Sequence, residues 1–205
     1  MAEENVNSRL EAFCDGVFAI ALTLLIIDIK IPSSVPIETT NDLWLALKHT
    51  VPSIFAFVLS FTVILITWVN HHAGLKLVNK STPSFIYANG FLLLTVVFVP
   101  FPTSLLGDFL LTDHAAPAVV LYDSVLAFQA IGWILLTRAA LQNKLARSEE
   151  AALTIAQNCK YGYFAMAVYL LCAVIAFWFP LTIAVITAFI WVLWLIWGIS
   201  MKHDE

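Results

Sequence analysis

Long apolar runs separated by short polar breaks dominate this chain. An α-helix needs roughly 20 apolar residues to cross a bilayer, and the runs predict six such helices. Their predicted ranges are 7–29, 51–75, 84–106, 118–141, 159–179 and 181–201. Pro180 divides the last apolar stretch, which would otherwise be about twice as long as one span. The pattern predicts an all-α, polytopic membrane protein with a single six-helix domain over residues 1–205.

One segment between the first two predicted spans has a different pattern. Residues 31–49 begin with a proline-containing break, after which Asn41 and Asp42 precede a short apolar run. Asn and Asp commonly cap helix N-termini, and this run is too short to cross a membrane. We therefore predict a short helical linker at the outer membrane surface. A vestibule of a pore is the alternative interpretation of this segment.

Composition agrees with a membrane protein. The chain is 61% hydrophobic and 12% charged, whereas soluble domains are nearer half apolar and a quarter charged. The three cysteines, Cys14, Cys159 and Cys172, are scattered, so neither a disulfide framework nor a zinc site is indicated. The chain has no basic tract, so no nucleic-acid partner is predicted. We predict that the protein is embedded in the lipid bilayer.

The distribution of basic residues predicts the orientation. With the N-terminus inside, only Lys30 and Lys48 lie in outer segments. The positive-inside rule therefore favours a multi-pass protein of the cell membrane with both termini in the cytoplasm. The basic residues that this orientation places on the cytoplasmic side are Arg9, Lys76, Lys80, Arg138, Lys144, Arg147, Lys160 and Lys202.

Polar residues gather at one depth of the first two spans. Arg9, Cys14 and Asp15 lie near the cytoplasmic end of the first helix, and a second polar group lies near the same end of the second helix. Buried polar groups are costly without partners, so a network across the two helices is expected. Its role is either to fix the first helix or to take part directly in ion conduction. The second group is Trp68, Asn70, His71 and His72.

The adjacent histidines also raise the question of a metal site. Trp68 and His72 have the i,i+4 spacing that brings side chains together on one face of a helix. His71 and His72, however, point about 100° apart on a helix, so they are poorly arranged to chelate one ion within a chain. We predict no metal site and no bound cofactor.

A stripe of side chains follows the polar start of the first helix. Ile20, Thr23, Leu24 and Ile27 share one face at helical spacing. Taken alone, such a stripe is most simply explained by helix packing, but a polar entrance on the same helix also fits a pore. No catalytic constellation is present, so an enzyme is not predicted. The Thr-Val-Gly-Tyr-Gly filter of potassium channels is also missing from the sequence.

The first helix resembles the signature of the transmembrane protein 175 family. The signature is Arg-x-x-x-Phe-Ser-Asp followed by an apolar run with Thr-Leu-Leu, and this chain matches it from Arg9 through Phe13 and Asp15 to Leu25. Cys14 stands where the family has serine, and a thiol is the weaker hydrogen-bond donor. The six-helix layout, the helical linker and the Trp68–His72 cluster extend the resemblance.

The resemblance implies a potassium-permeable channel. One copy of the signature implies a bacterial member that assembles as a homotetramer, with the first helices lining a central pore. Rings of Ile20, Leu24 and Ile27 would form a hydrophobic constriction, with Ile20 the tightest and Thr23 hydroxyls beside it. The resemblance further implies that Arg9, Phe13 and Asp15 hold the first helix against the second through Trp68 and His71 or His72.

Two other functions remain open from the sequence. A proton-coupled or cation transporter would use Asp15 and His71 or His72 as a relay. A non-conducting membrane scaffold would need none of these groups for transport.

Overall fold

The computed structural model describes residues 7–30 and 36–200, with side chains described as far as Ile196 and that of Asp28 left out. Within these residues the chain forms eight α-helices and one short 3-10 helix, which confirms the all-α prediction. The helices are α1 (Ser8–Leu24), followed by the 3-10 helix (Leu25–Asp28), α2 (Thr40–His49), α3 (Val51–Lys76), α4 (Pro83–Phe98), α5 (Pro100–Phe109), α6 (Ala115–Gln142), α7 (Glu149–Ile175) and α8 (Pro180–Ser200).

Five helical segments are long and apolar enough to cross a membrane. They are α1 with its 3-10 extension, α3, the α4–α5 pair, α6 and α7. The sixth predicted span corresponds to α8, which is strongly apolar but spans only residues 180–196 in the part with described side chains. Five of the six predicted spans therefore meet the length and hydropathy of a membrane helix within the residues whose side chains are described, and the sixth corresponds to α8, an apolar helix of 21 residues.

The linker helix α2 forms as predicted, but its cap lies earlier than expected. Thr39 is the N-cap: its hydroxyl oxygen accepts from the backbone N–H of Asp42, and the Asp42 carboxylate accepts from the backbone N–H of Thr39. This reciprocal pair is a capping box, whereas the sequence pointed to Asn41 and Asp42 as caps. The Asp42 carboxylate also accepts from the Thr39 hydroxyl and from the backbone N–H of Glu38, and these hydrogen bonds lower the pKa of Asp42. The proline break at residues 31–35 lies outside the described residues.

Proline determines where the third predicted span is divided. The helix is interrupted at Val99, and Pro100 begins α5. Because proline has no backbone N–H to continue the helical bonds, it fits the first turn of a new helix. The predicted range of 84–106 is therefore two stacked helices that reach Phe109.

The fifth predicted span begins ten residues too late. The sequence analysis placed its start at residue 159, whereas α7 begins at Glu149, after Ser148 accepts a hydrogen bond from the backbone N–H of Ala151. Ser is a favoured N-cap, and Glu149 and Glu150 in the first turn suit the positive end of the helix dipole. The first three turns of α7 are amphipathic rather than uniformly apolar. The helix therefore begins before the apolar run from which the span was predicted.

Three clusters of buried apolar residues hold the described part of the bundle together. The largest lies among α3, α5, α6, α7 and α8, the second packs α1 against α3, α4 and α6, and the third joins α3, α4, α6 and α7. The most extensive packing joins α6 and α7. Gly132 allows a close approach between α6 and α4, because a Cβ atom there would lie 3.0 Å from the Cα of Leu92.

One end of the bundle collects the start of α1, the end of α3 and the loops before α4 and α7. Those two loops pair through backbone hydrogen bonds from Asn79 to Leu145 and from Arg147 to Leu77, with an isolated antiparallel bridge between Val78 and Ala146. We call this end the basic end, because seven of the nine described Lys and Arg residues belong to it. They are Arg9, Lys76, Lys80, Arg138, Lys144, Arg147 and Lys160; Lys30 and Lys48 lie elsewhere, and Lys202 is outside the described residues.

Candidate functional site

The two sides of α1 have different surroundings. Cys14, Phe18, Ala21 and Leu25 are buried against the bundle, at the 4-3-4 spacing of one helical face. The opposite side is open. Of the residues in the apolar stretch of α1, 22% are buried, compared with 28–61% in the other four long segments. This helix therefore has a large apolar face without a partner in the single chain.

The predicted pore residues all lie on that open face. Ile20 is 60% exposed, Leu24 39% and Ile27 57%, and Thr23 is exposed as well. The Thr23 hydroxyl donates a 2.9 Å hydrogen bond to the carbonyl oxygen of Ile20. Its remaining lone pairs are free to face away from the helix. The stripe is thus not explained by packing within the chain.

Asp15 and Trp68 make the predicted contact between α1 and α3. Trp68 Nε1 donates to Asp15 Oδ1 at 2.8 Å, and both side chains are partly buried. The indole of Trp68 stacks on the ring of His72, with 6.0 Å between ring centroids. His72 Nδ1 in turn lies 3.0 Å from Glu11 Oε1. Trp68 and His72 lie on one face of α3. They thus contact two carboxylates near the start of α1, those of Asp15 and Glu11.

His71 belongs to a separate, buried group. Its Nε2 lies 2.6 Å from Asn89 Oδ1, and the Asn89 amide donates to Cys14 Sγ at 3.1 Å. Because Asn89 Oδ1 can only accept a hydrogen bond, His71 carries its proton on Nε2 in this arrangement. Asn89 therefore links α1, α3 and α4 through one side chain. The His71 ring also packs against Phe18, at 5.3 Å between centroids.

The two histidines consequently face different groups, as expected for adjacent helical residues. Among the described residues, no cluster of three or more His, Cys, Asp or Glu side chains could hold a metal ion.

Arg9 and Phe13 differ from the prediction. Both were expected to hold α1 against α3, but Arg9 is exposed, and Phe13 is 61% exposed. The reason is their position on the helix: both lie on the side of Ile20, opposite the buried Cys14 and Phe18. Asp15 is the motif residue that joins the two helices.

Two members of the network were not selected from the sequence. They are Glu11 and Asn89. A polar amide within an otherwise apolar span is a signal that could have identified Asn89.

A second buried polar group lies between α3, α5 and α6 and was also not predicted. Thr103 donates to Ser60 at 2.6 Å, and Ser60 is 2.9 Å from the hydroxyl of Tyr122. The adjacent Asp123 is fully buried and accepts from Thr187 of α8 at 2.8 Å. These hydrogen bonds join α3, α5, α6 and α8, and none of them involves the open face of α1.

Comparison with known proteins places these features in one family. The family profile described as the endosomal/lysosomal potassium channel TMEM175 matches residues 9–100, which run from the start of α1 to the start of α5. A potassium channel of Chryseobacterium sp. is 30% identical over 201 residues, covering 97% of this chain and 96% of that protein.

A second relative and a solved structure come from Chamaesiphon minutus. A potassium channel of that organism is 45% identical over 129 residues, and the match covers 63% of each protein. The solved structure, described as a lysosomal potassium-selective channel TMEM175 homolog, superimposes with a TM-score of 0.79 at 35% identity. It covers 93% of this chain and 98% of the other.

Proposed function

This chain belongs to the transmembrane protein 175 family of ion channels, and we propose that it is a potassium-selective, leak-type channel. In this proposal four copies of the chain form a homotetramer in the cell membrane, with a central pore between the α1 helices. Potassium ions permeate along the open face of α1. The constriction consists of hydrophobic side chains rather than backbone carbonyls.

The observation that carries the proposal is the unpartnered face of α1. Ile20, Leu24 and Ile27 are large, apolar and exposed, although the opposite face of the helix packs closely against the bundle. In a symmetric assembly each side chain on this face is repeated around the axis, so one residue forms a whole ring. The face supports an assembly around α1 better than it supports an isolated chain.

Within the pore, Ile20 is assigned the narrowest ring. Narrow apolar rings can close a pore by dewetting. Thr23 lies one turn further along the same face, where its oxygen could contact a partly dehydrated ion. Because potassium gives up its hydration shell more readily than sodium, such a ring passes potassium more easily, although with less selectivity than a carbonyl filter.

The orientation follows from charge. The basic end of the bundle is assigned to the cytoplasm by the positive-inside rule, which also places both termini there. Asp15 then lies near the inner mouth of the pore, where a carboxylate concentrates cations.

The test is ion flux through the purified protein in liposomes, with a potassium gradient compared with an equal sodium gradient. The proposal expects fast, non-saturating flux with a clear preference for potassium. Empty liposomes and liposomes with a denatured sample are the controls. Flux no greater than in these controls would contradict the channel proposal and favour the non-conducting scaffold. Equal sodium and potassium flux would show that the channel is not selective for potassium.

The transporter alternative has less support. A relay needs groups that can exchange protons along a path, but Asp15 is held by Trp68 and His71 by Asn89. These contacts are those of a network that fixes α1. Slow, saturable flux that requires a pH gradient would nevertheless overturn the channel proposal in favour of a transporter.

A further inference from the structure

A groove on the outside of the bundle lies between α4 and α6, away from the open face of α1. Its volume is about 550 Å³, which is in the size range of ligand sites. Tyr87 and Phe91 form the α4 wall and Leu135 lies on the α6 wall. Tyr87 is 80% exposed and Leu135 43%, so apolar surface is open here on helices that cross the membrane.

Arg138 gives this apolar groove a single positive charge. The residue lines the groove and lies one turn before the end of α6. Its guanidinium donates one long bond of 3.4 Å to the hydroxyl of Tyr163, and among the described residues no carboxylate forms an ion pair with it. Arginine offers five donors, and this bond uses one of them.

The surroundings of Arg138 add to its positive potential. Ser84 and Gln142 line the groove near the basic end of the bundle. The Asn143 amide donates to Ser84 at 3.1 Å, which brings the loop that contains Lys144 next to the start of α4. Lys80 lies three residues before Pro83, where α4 begins. Basic pockets between membrane helices on the cytoplasmic side are suited to anionic lipid head groups.

We propose that this groove binds an anionic phospholipid, with its phosphate on Arg138 and an acyl chain against Phe91 and Leu135. A guanidinium can hold phosphate oxygens in a bidentate manner, and the apolar side chains of the walls can make van der Waals contacts with the acyl chain. A free phosphate ion would use the arginine but not the walls. Tyr87, an exposed aromatic side chain near the same end, suits the head-group level of the bilayer.

The test is native mass spectrometry of the whole protein released from vesicles that contain equal amounts of phosphatidylglycerol and phosphatidylcholine. We expect the wild type to retain phosphatidylglycerol at least several-fold more than phosphatidylcholine. Arg138→Gln should abolish that preference. Arg147→Gln is the matched control, because it removes the same charge from the same end of the bundle but outside the groove.

Two further variants keep the result interpretable. Arg138→Lys keeps the charge without the planar fork and should retain part of the preference. Leu135→Trp keeps Arg138 but fills the groove, so it should reduce retention of phosphatidylglycerol while the protein still shows a folded thermal transition. The lipid measurement does not depend on ion flux. The lipid site can therefore be disproved while the channel proposal holds, and the channel proposal can be disproved while the lipid site holds.

Several outcomes would overturn the lipid site. One is equal retention of the two lipids by the wild type. Another is an equal loss in Arg138→Gln and Arg147→Gln, which would mean a diffuse surface charge. Complete displacement of the lipid by inorganic phosphate would make the groove a site for a soluble anion instead.

Discussion

Trp68 Nε1 donates a 2.8 Å hydrogen bond to Asp15 Oδ1, and this bond ties the first turns of α1 to the last third of α3. Few other polar contacts hold α1, since one whole side of it is open. Because one face of α1 has no partner in the single chain, contacts on its other side hold it in place, and the indole–carboxylate contact provides a directional anchor. The anchor lies at the basic end of the bundle, which the proposed orientation assigns to the cytoplasm.

The first prediction concerns this anchor. A hydrogen bond to a charged group is worth about 1.5–3 kcal/mol, and solvent access to these partly buried groups lowers the expected value to about 1 kcal/mol. A double-mutant cycle of Asp15→Ala and Trp68→Phe should therefore show a coupling energy near that size. The measurement is the free energy of unfolding in detergent by chemical denaturation. Strictly additive losses would mean that the two side chains act independently.

The second prediction concerns the amide that links three helices. Asn89→Leu removes the partner of His71 and of Cys14 at once, so two buried polar atoms lose their hydrogen bonds. Leaving a buried polar group unsatisfied costs about 1–3 kcal/mol, and the thermal midpoint should fall accordingly.

Asn70→Leu is the matched control, since Asn70 is exposed on α3 and should change stability by only about 0.5 kcal/mol or less. Cys14→Ser should be tolerated in the same assay, because a hydroxyl oxygen accepts the Asn89 N–H better than sulfur does. A loss for Asn70→Leu as large as that for Asn89→Leu would contradict the bridging role.

The contrast between Asp15 and Asn89 shows what the sequence could supply. A network between the groups that contain Asp15 and Trp68 was expected because both lie at the same depth of their predicted spans, and the family resemblance implied that Trp68, with His71 or His72, takes part in it. Asn89 lies 75 residues from Cys14, and its partners are fixed by how α4 packs rather than by local spacing. The length of α7 was missed for a related reason, because its first turns are amphipathic and lie outside the apolar run.

The stripe on α1 was predicted either to pack within the chain or to line a pore, and in the single chain it is exposed. Helical spacing places Ile20, Leu24 and Ile27 together, and it does not tell which face packs inside. Only the tertiary arrangement shows that Cys14 and Phe18 take the buried side. The same arrangement explains why Arg9 and Phe13 lie apart from the network.

The third prediction tests the proposed constriction. Ile20→Asn replaces an apolar ring by a polar one, which should relieve dewetting. We expect a several-fold rise in flux and a lower preference for potassium over sodium in the liposome assay. Ile26→Asn is the control, because Ile26 is similarly exposed, at 54%, but lies off the stripe of Ile20. Unchanged flux in folded Ile20→Asn protein would remove this residue from the constriction.

The fourth prediction concerns close packing of α6 on α4. A Cβ atom at Gly132 would lie 3.0 Å from the Cα of Leu92, which is backbone and cannot easily move. Gly132→Ala should therefore lower the thermal midpoint, since overpacking typically costs about 1–3 kcal/mol.

Gly90→Ala is the matched control on α4, where an added Cβ meets no atom within 4 Å. Alanine is the better helix former by up to about 1 kcal/mol, so this variant should be as stable as the wild type or more stable. Equal destabilisation by both substitutions would mean that helix packing is not the cause.

The fifth prediction concerns the buried pair between α6 and α8. Thr187 donates to Asp123 Oδ1 at 2.8 Å, and the other carboxyl oxygen has no hydrogen-bond partner among the described residues. Thr187→Val has nearly the same shape and removes only the donor, so it should destabilise the protein by about 1–3 kcal/mol. Asp123→Asn keeps an acceptor for Thr187 and should change stability much less.

The decisive variant is the double substitution Thr187→Val with Asp123→Leu. Removing one partner leaves a buried polar group unsatisfied, whereas replacing both by apolar groups can be nearly neutral. The double variant should therefore regain much of the stability that Thr187→Val loses, as measured by thermal unfolding in detergent. If it is instead less stable than Thr187→Val alone, Asp123 has a stabilising partner other than Thr187, and the bond between α6 and α8 is not its main interaction.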